Sequence, residues 1–397
     1  ELFVHSEKEL HSFLNAGFSE NGKRNNNPYS GSIAVVGIGS RFPEAQNTGE
    51  YWENIINGKN SIQEVPLNRW DPRFYWDPDR NAPNKTYSKI GSFTDLSDFN
   101  PLDFGILPNA LPHIPGAQKI GLLCVKEAVE HTGLPDMGIP FDRIGVFMGT
   151  SVCAGGISDY SVQVDKDRLI NTLSEGSLFK GADSKARKKA LDEFGSLLHD
   201  PEHAVNEDSN PEILSNIVAG RIVNAFNFTG PNYTADAACA SSPAAVLNAV
   251  RALQAGQVDA AVAGGADFSN DPLSYVTFSK VGALSPHMSC PFDERADGFV
   301  MGEGGGVLIL KRLEDAERDG DRIYAVIKGI GSSSDGSGKG ITAPNPEGQM
   351  KALKNAYLDA RVAPDTVGLY EAHGTSTPAG DAAEFRAASA FFRRHTA

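Results

Sequence analysis

Two segments carry side chains able to do covalent chemistry. Cys239 stands in Asn232-Tyr233-Thr234-Ala235-Asp236-Ala237-Ala238-Cys239-Ala240-Ser241-Ser242, where a strand-forming stretch gives way to an alanine-rich run. The residues from Ser242 to Leu253 favour helix, and Val246, Leu247, Val250 and Leu253 are spaced for one apolar face. Cys239 is therefore expected at a helix N-terminus. There, partial positive charge and unpaired amides favour thiolate over thiol, and the same amides can hold a developing oxyanion. Both properties serve acyl transfer by a cysteine nucleophile; the alternative is a cysteine that packs as a small hydrophobe. The second segment, Leu369-Tyr370-Glu371-Ala372-His373-Gly374-Thr375-Ser376-Thr377-Pro378-Ala379-Gly380-Asp381, ends a short strand-like stretch on His373. Glycine and hydroxyl residues follow that cannot continue the strand, so the imidazole is presented instead of packed away.

The elements that must position these groups are legible as short apolar runs. Residues 33–38, 144–148, 232–235, 260–263 and 307–311 read as strands, and residues 324–330 and 367–371 as two more. Residues 7–18 are expected to form a short amphipathic helix, and the polar, turn-rich residues 19–31 a linker. At 397 residues the chain exceeds the usual single core, which suggests two packed halves behind an N-terminal appendage.

These motifs, joined by Pro291-Phe292-Asp293-Glu294-Arg295-Ala296-Asp297-Gly298-Phe299-Val300-Met301-Gly302-Glu303-Gly304-Gly305-Gly306, resemble the ketosynthase (β-ketoacyl synthase) domain of type I polyketide and fatty acid synthases. The likeness runs from about Ser32 to Glu384 and includes Ile33-Ala34-Val35-Val36-Gly37-Ile38-Gly39-Ser40-Arg41-Phe42-Pro43, Arg69-Trp70 and Asp259-Ala260-Ala261-Val262-Ala263-Gly264-Gly265-Ala266. It implies an α/β, thiolase-like fold of layered αβαβα form, and decarboxylative Claisen condensation of acyl and malonyl thioesters on an acyl carrier protein. By the same resemblance Cys239 matches the acyl-accepting nucleophile, and His373 the first of two active-site histidines. Thr375 and Thr377 match hydroxyls that contact the phosphopantetheine arm. That arm arrives with the carrier protein, so no bound cofactor and no metal are expected. Expected partners are the carrier protein, other synthase domains and a second copy of the chain in a homodimer.

The family's second histidine, in a Lys-Ser-x-x-Gly-His segment, has no counterpart here: no histidine follows a glycine, and only His395 follows His373. The expectation is accordingly a truncated second half, incomplete for condensation. The domains expected are an extension and linker at 1–31, a first half at 32–315 with a long polar insertion at about 155–210, and a second half at 316–397. A noncatalytic, ketosynthase-like scaffold or chain-length partner is the alternative of a different class, and a thiolase-like enzyme acting on acyl-coenzyme A the alternative enzyme. Many relatives carry Met-Asp-Pro-Gln-Gln where this chain has residues 107–119.

A formal charge of −14 argues against nucleic acid. Lys185, Arg187, Lys188 and Lys189 form the one compact basic cluster, read as a solvated helix face. Apolar runs fall far short of the roughly 20 residues of a membrane span. Cys124, Cys153, Cys239 and Cys290 lack paired spacing, which argues against zinc and a disulfide framework and fits a reducing cytoplasm. Cys124 reads as helix core. Phe42 stands where a dinucleotide fingerprint needs its third glycine, and residues 302–306 lack the lysine of a phosphate loop, so those glycines read as close backbone approaches. Asp381 and Glu384 read as supports of the site, and His287 as a loop histidine.

Overall fold

The structure, a computed structural model, describes residues 31–151, 154–180, 183–199, 205–337, 340 and 342–393. The expected helix at 7–18, most of the linker at 19–31, and Cys153 lie outside the described residues.

One six-stranded sheet organises the chain. Its strands are β1 (Ile33–Arg41), β2 (Ile144–Gly149), β3 (Asn232–Ala235), β4 (Ala260–Asp267), β5 (Gly304–Arg312) and β6 (Ala325–Ile327), in the order β3-β2-β4-β5-β1-β6. β2 pairs in parallel with both β3 and β4, while β4–β5, β5–β1 and β1–β6 are antiparallel. The principal helices are α1 (Gly116–Thr132), α2 (Ala154–Ser174), α3 (Ser184–Leu197), α4 (Ile217–Phe226), α5 (Ser241–Gln254), α6 (Pro346–Ala360) and α7 (Pro378–Arg393).

The central strands are apolar on both faces, and successive side chains point to opposite sides. Ala34, Val36, Val146, Met148, Val262 and Ile309 join one buried cluster with Ile120 and Cys124 of α1 and Ile222 of α4. Ile33, Val35, Phe147, Ala261, Ala263 and Leu310 join the other with Ala245, Ala249, Val250 and Leu253 of α5. The result is helix, sheet, helix, with each large aliphatic side chain so buried contributing about 1.5–3 kcal/mol. Glycines set the spacing. A Cβ on Gly39 would stand 1.9 Å from the Cys124 carbonyl oxygen, and one on Gly305 2.4 Å from Ile120 Cγ2, so α1 lies against the sheet only because those side chains are absent. The close-approach reading of residues 302–306 holds at this point, and Cys124 is core as expected, its thiol pushed up by burial.

The five strands expected in the first half all form, four of them longer than the apolar runs indicate. The two expected to open the second half behave differently. Residues 325–327 join the first sheet as β6, register Val35 to Ala325. Residues 367–371 form no strand; Leu369 is 83% exposed there. A strand persists only where a neighbour takes its amides and carbonyls, and next to this segment the His373 and Gly374 amides go to a carboxylate instead.

The insertion folds as α2 and α3, joined by Gln163 donating to the Leu198 carbonyl (2.8 Å) and Arg187 to that of Ser174 (2.9 Å). Of the basic cluster read as a solvated face, Lys185, Lys188 and Lys189 are exposed on α3, whereas Arg187 is half-buried and turned to the Ser174 carbonyl. A polar chain, buried from His113 inward, ties the insertion to the body. Asn206 donates to His113 Nε2 (3.0 Å), His113 Nδ1 lies 3.0 Å from the Tyr160 hydroxyl, and that hydroxyl donates to Glu212. His113 belongs to the 107–119 segment, which thus supplies an anchor for the insertion. No helix among the described residues is long and apolar enough to cross a membrane.

Candidate active site

β3 delivers Cys239. After Ala235 the chain turns sharply through residues 236–240 into α5, with Ala238 in the left-handed region at φ 50°. That conformation costs a residue with a side chain about 1–2 kcal/mol, and local hydrogen bonds hold it. The Ala238 amide donates to Asp236 (3.0 Å), and the Ser241 hydroxyl donates to the Ala238 carbonyl (2.6 Å) while accepting from the Ala237 amide (2.9 Å). The turn leaves Cys239 exposed immediately before α5. The start of α5 presses on the sheet ends: a Cβ on Gly149 would stand 2.3 Å from the Ser241 carbonyl carbon, and one on Gly265 2.9 Å from Ser242 Cβ. α5 has no side-chain cap and no acidic residue in its first turn, so the positive end of its dipole is left uncompensated beside Cys239, although the Ser241 amide donates to the Ala238 carbonyl (3.0 Å) and Pro243 carries no N–H.

His373 reaches the same place from the other end of the chain. Its imidazole stands beside the Cys239 thiol, within reach of a hydrogen-bonding attraction by which each group shifts the other. The thiol is lowered chiefly by that hydrogen bond and further by imidazolium charge and its own backbone amide, against desolvation and the Asp267 carboxylate. The imidazole is raised chiefly by the same bond, with help from Glu384 and Asp381, against desolvation. Both shifts run toward thiolate and imidazolium, the protonation state that an activated nucleophile needs.

Two carboxylates hold the histidine loop. Glu384, from α7, accepts from the His373 amide (2.7 Å) with one oxygen and the Gly374 amide (2.9 Å) with the other. Asp381, also from α7, accepts from the Ser376 amide (3.0 Å) and the Phe292 amide (2.7 Å). Both carboxylates are engaged by backbone amides of the site's loops, the supporting role expected. Thr375 and Thr377 bring their hydroxyls 2.8 Å apart, and the Gly380 amide donates to Thr377 (3.2 Å). α6 is tied to α5 by Arg251 to Asp359 (3.1 Å), which links the element after the nucleophile to the helix packed on α7. The exposed His287 is a loop residue, as expected. Among the described residues no group of three or more His, Cys, Asp or Glu side chains is placed to hold a metal.

Ala238, Ser241, Gly149 and Ser376 shape the site without belonging to either reactive motif's expected side chains. The glycine at the end of β2 is the one signal among them that sequence offers; a left-handed backbone at alanine or serine leaves no mark there.

The fold is that of solved ketosynthases, a thiolase-like α/β architecture. An oxazolomycin ketosynthase domain from Streptomyces albus superposes with a TM-score of 0.75 at 32% identity, over 92% of this chain and 57% of that one. The ketosynthase from module 6 of the bacillaene synthase of Bacillus subtilis gives 0.74 at 31%, over 92% and 55%. The chain belongs to the β-ketoacyl synthase family, matching the Beta-ketoacyl synthase N-terminal domain over residues 30–316 and the C-terminal domain over 324–397. Among curated relatives it is 35% identical to Polyketide synthase PksN of Bacillus subtilis over 91% of its length, and 37% identical to a polyunsaturated fatty acid synthase polypeptide of a Thraustochytrium species over 92%. It spans 6% and 13% of those two proteins.

Proposed function

We propose that this chain accepts an acyl group on Cys239 and takes part in decarboxylative Claisen condensation of thioesters carried by an acyl carrier protein, in polyketide or fatty acid synthesis. The thiol–imidazole pair of Cys239 and His373 is the observation that carries the reading.

In the first step the Cys239 thiolate attacks the carbonyl of an incoming acyl thioester. The Cys239 amide and the positive end of the α5 dipole stabilise the tetrahedral oxyanion, a contribution of about 3–4 kcal/mol for a well-placed donor. The old C–S bond breaks, and the carrier's thiol leaves with a proton from the His373 imidazolium. In the second step a malonyl thioester takes its place and loses carbon dioxide. The electrons of the broken C–C bond pass into a thioester enolate whose oxygen accepts a hydrogen bond from neutral His373. The enolate carbon attacks the acyl carbonyl on Cys239, expelling the thiolate and leaving a β-ketoacyl thioester on the carrier.

Thr375 and Thr377 would contact the phosphopantetheine arm, whose supply by the carrier leaves no need for a resident cofactor. The partners proposed are the carrier protein, neighbouring synthase domains and a second copy of this chain. For the last, β3 supports the reading: among the described residues it pairs only with β2, and Tyr233 on it is 44% exposed. The domain division proposed is 32–315 and 316–397, and the compartment the cytoplasm.

The test is mass spectrometry after incubation with an acyl-pantetheine thioester. One acyl adduct, mapped to Cys239 and absent in Cys239→Ala, is expected. A folded chain that takes up no adduct would favour the noncatalytic scaffold.

A further inference from the structure

Seven residues other than glycine occupy the left-handed backbone region among the described residues, and three cluster at this site: Ala238, Phe292 (φ 62°) and Ser376 (φ 62°). Strain of this kind persists only where surrounding contacts over-determine it, and it gathers where geometry matters to function. Ala238 shapes the turn of the nucleophile. The other two lie on different loops and share one carboxylate, for Asp381 takes the Ser376 amide on Oδ1 and the Phe292 amide on Oδ2.

Ser376 is the centre of this clasp. It is fully buried, and every polar atom it has is engaged, the hydroxyl and carbonyl across the gap between the loops. Its amide donates to Asp381 (3.0 Å), its hydroxyl accepts from the Cys290 amide (2.8 Å), and its carbonyl accepts from the Gly298 amide (2.9 Å). The segment from Cys290 to Gly298 is thereby pinned to the histidine loop at both ends. Between the pins, Pro291 and Phe292 lie under Gly374, where an added Cβ would stand 3.3 Å from Pro291 Cβ and 3.5 Å from Phe292 Cε2. Gly374 is the residue next to His373, held from the other side by Glu384.

A glycine at position 376 would take φ 62° without strain, so the backbone alone gives no reason for a side chain there. What serine adds is the hydroxyl acceptor for Cys290. We propose that Ser376 is a positioning residue: its hydroxyl locks the Cys290–Gly298 segment beneath the histidine loop and so fixes the imidazole of His373 against Cys239. This rests on Cys239 and His373 acting as the acyl-transfer pair.

The pair of variants Ser376→Gly and Ser376→Ala separates positioning from stability. Glycine removes hydroxyl and strain together; alanine removes the hydroxyl and keeps the strain. For each, the rate of Cys239 alkylation by iodoacetamide is followed against pH by peptide mapping, beside a thermal melt. Both variants are expected to move the alkylation midpoint upward by about one unit, equivalent to a roughly tenfold loss of rate on the acid side, with Ser376→Gly melting no lower than the parent. Parent-like alkylation profiles in both variants would overturn the proposal, as would a Ser376→Gly variant that melts well below the parent, which would assign the residue to stability. Failure of the underlying pair is read separately, in the parent: a parent whose Cys239 titrates as an ordinary thiol leaves Ser376 nothing to position.

Discussion

Gly149→Ala is the most informative substitution outside the reacting groups, because the structure sets its effect in advance. The new Cβ would stand 2.3 Å from the Ser241 carbonyl carbon, 2.4 Å from the Ser242 amide nitrogen and 2.5 Å from the Ser241 carbonyl oxygen. Favourable contacts of this kind lie near 3.5–4.0 Å, so the overlap is roughly 1 Å. All three atoms are backbone, with no flexible side chain to swing aside, and Gly149 is itself fixed in β2 by its pairing with β3 and β4. The start of α5 must therefore lift, carrying the turn with Cys239 away from His373. Overpacking of this size costs about 1–3 kcal/mol of stability, while a displacement of about 1 Å at a reacting group costs about a hundredfold in rate. The assay is the rate of acyl-adduct formation on Cys239 measured by mass spectrometry, beside a urea unfolding curve. A large loss of rate with a modest loss of stability is expected. Parent-like rate and stability together would refute this seating of the nucleophile by the sheet.

Two further substitutions probe the frame. Glu384→Gln leaves one acceptor oxygen for the His373 and Gly374 amides and removes an anion that favours the imidazolium; the His373 pKa should fall, and an NMR titration in which it stays put would contradict the assignment. Lys311 is 1% exposed and held by Asp319 (2.8 Å) and Asp321, so Asp321→Ala, which strips one partner from a buried charge, should cost about 3 kcal/mol in urea unfolding. An unchanged midpoint there would mean that Asp319 alone satisfies the ammonium.

How far sequence reveals each feature follows from how local that feature is. The inner strands are readable because burial on both faces demands near-continuous apolar runs, as in Ala260–Asp267, and α5 because Val246, Leu247, Val250 and Leu253 repeat at helical spacing, although the buried face runs through Ala245, Ala249, Val250 and Leu253 and leaves Val246 and Leu247 half-buried. The placement of Cys239 at the junction follows from those two local signals. Residues 367–371 carry the same apolar character as a strand, yet strand formation depends on a distant neighbour that no local pattern reveals. For the same reason residues 325–327 can be read as extended but not assigned to the edge beside β1. Asp381 and Glu384 are recognisable as supports from their motif, whereas their division of labour between two loops, and the role of Ser376, depend on contacts between segments more than 80 residues apart. Strained backbone at Ala238 and Ser376 leaves no compositional trace at all.

The pairing of Cys239 with His373 is tested most directly by the pH dependence of Cys239 alkylation in the parent and in His373→Ala. A thiol lowered by a neighbouring imidazolium is already ionised below the ordinary cysteine value of about 8.5, and loses that advantage when the imidazole is removed. The expected result is a parent midpoint below that ordinary value and a variant midpoint shifted upward toward it. Two superimposable profiles would contradict the pairing.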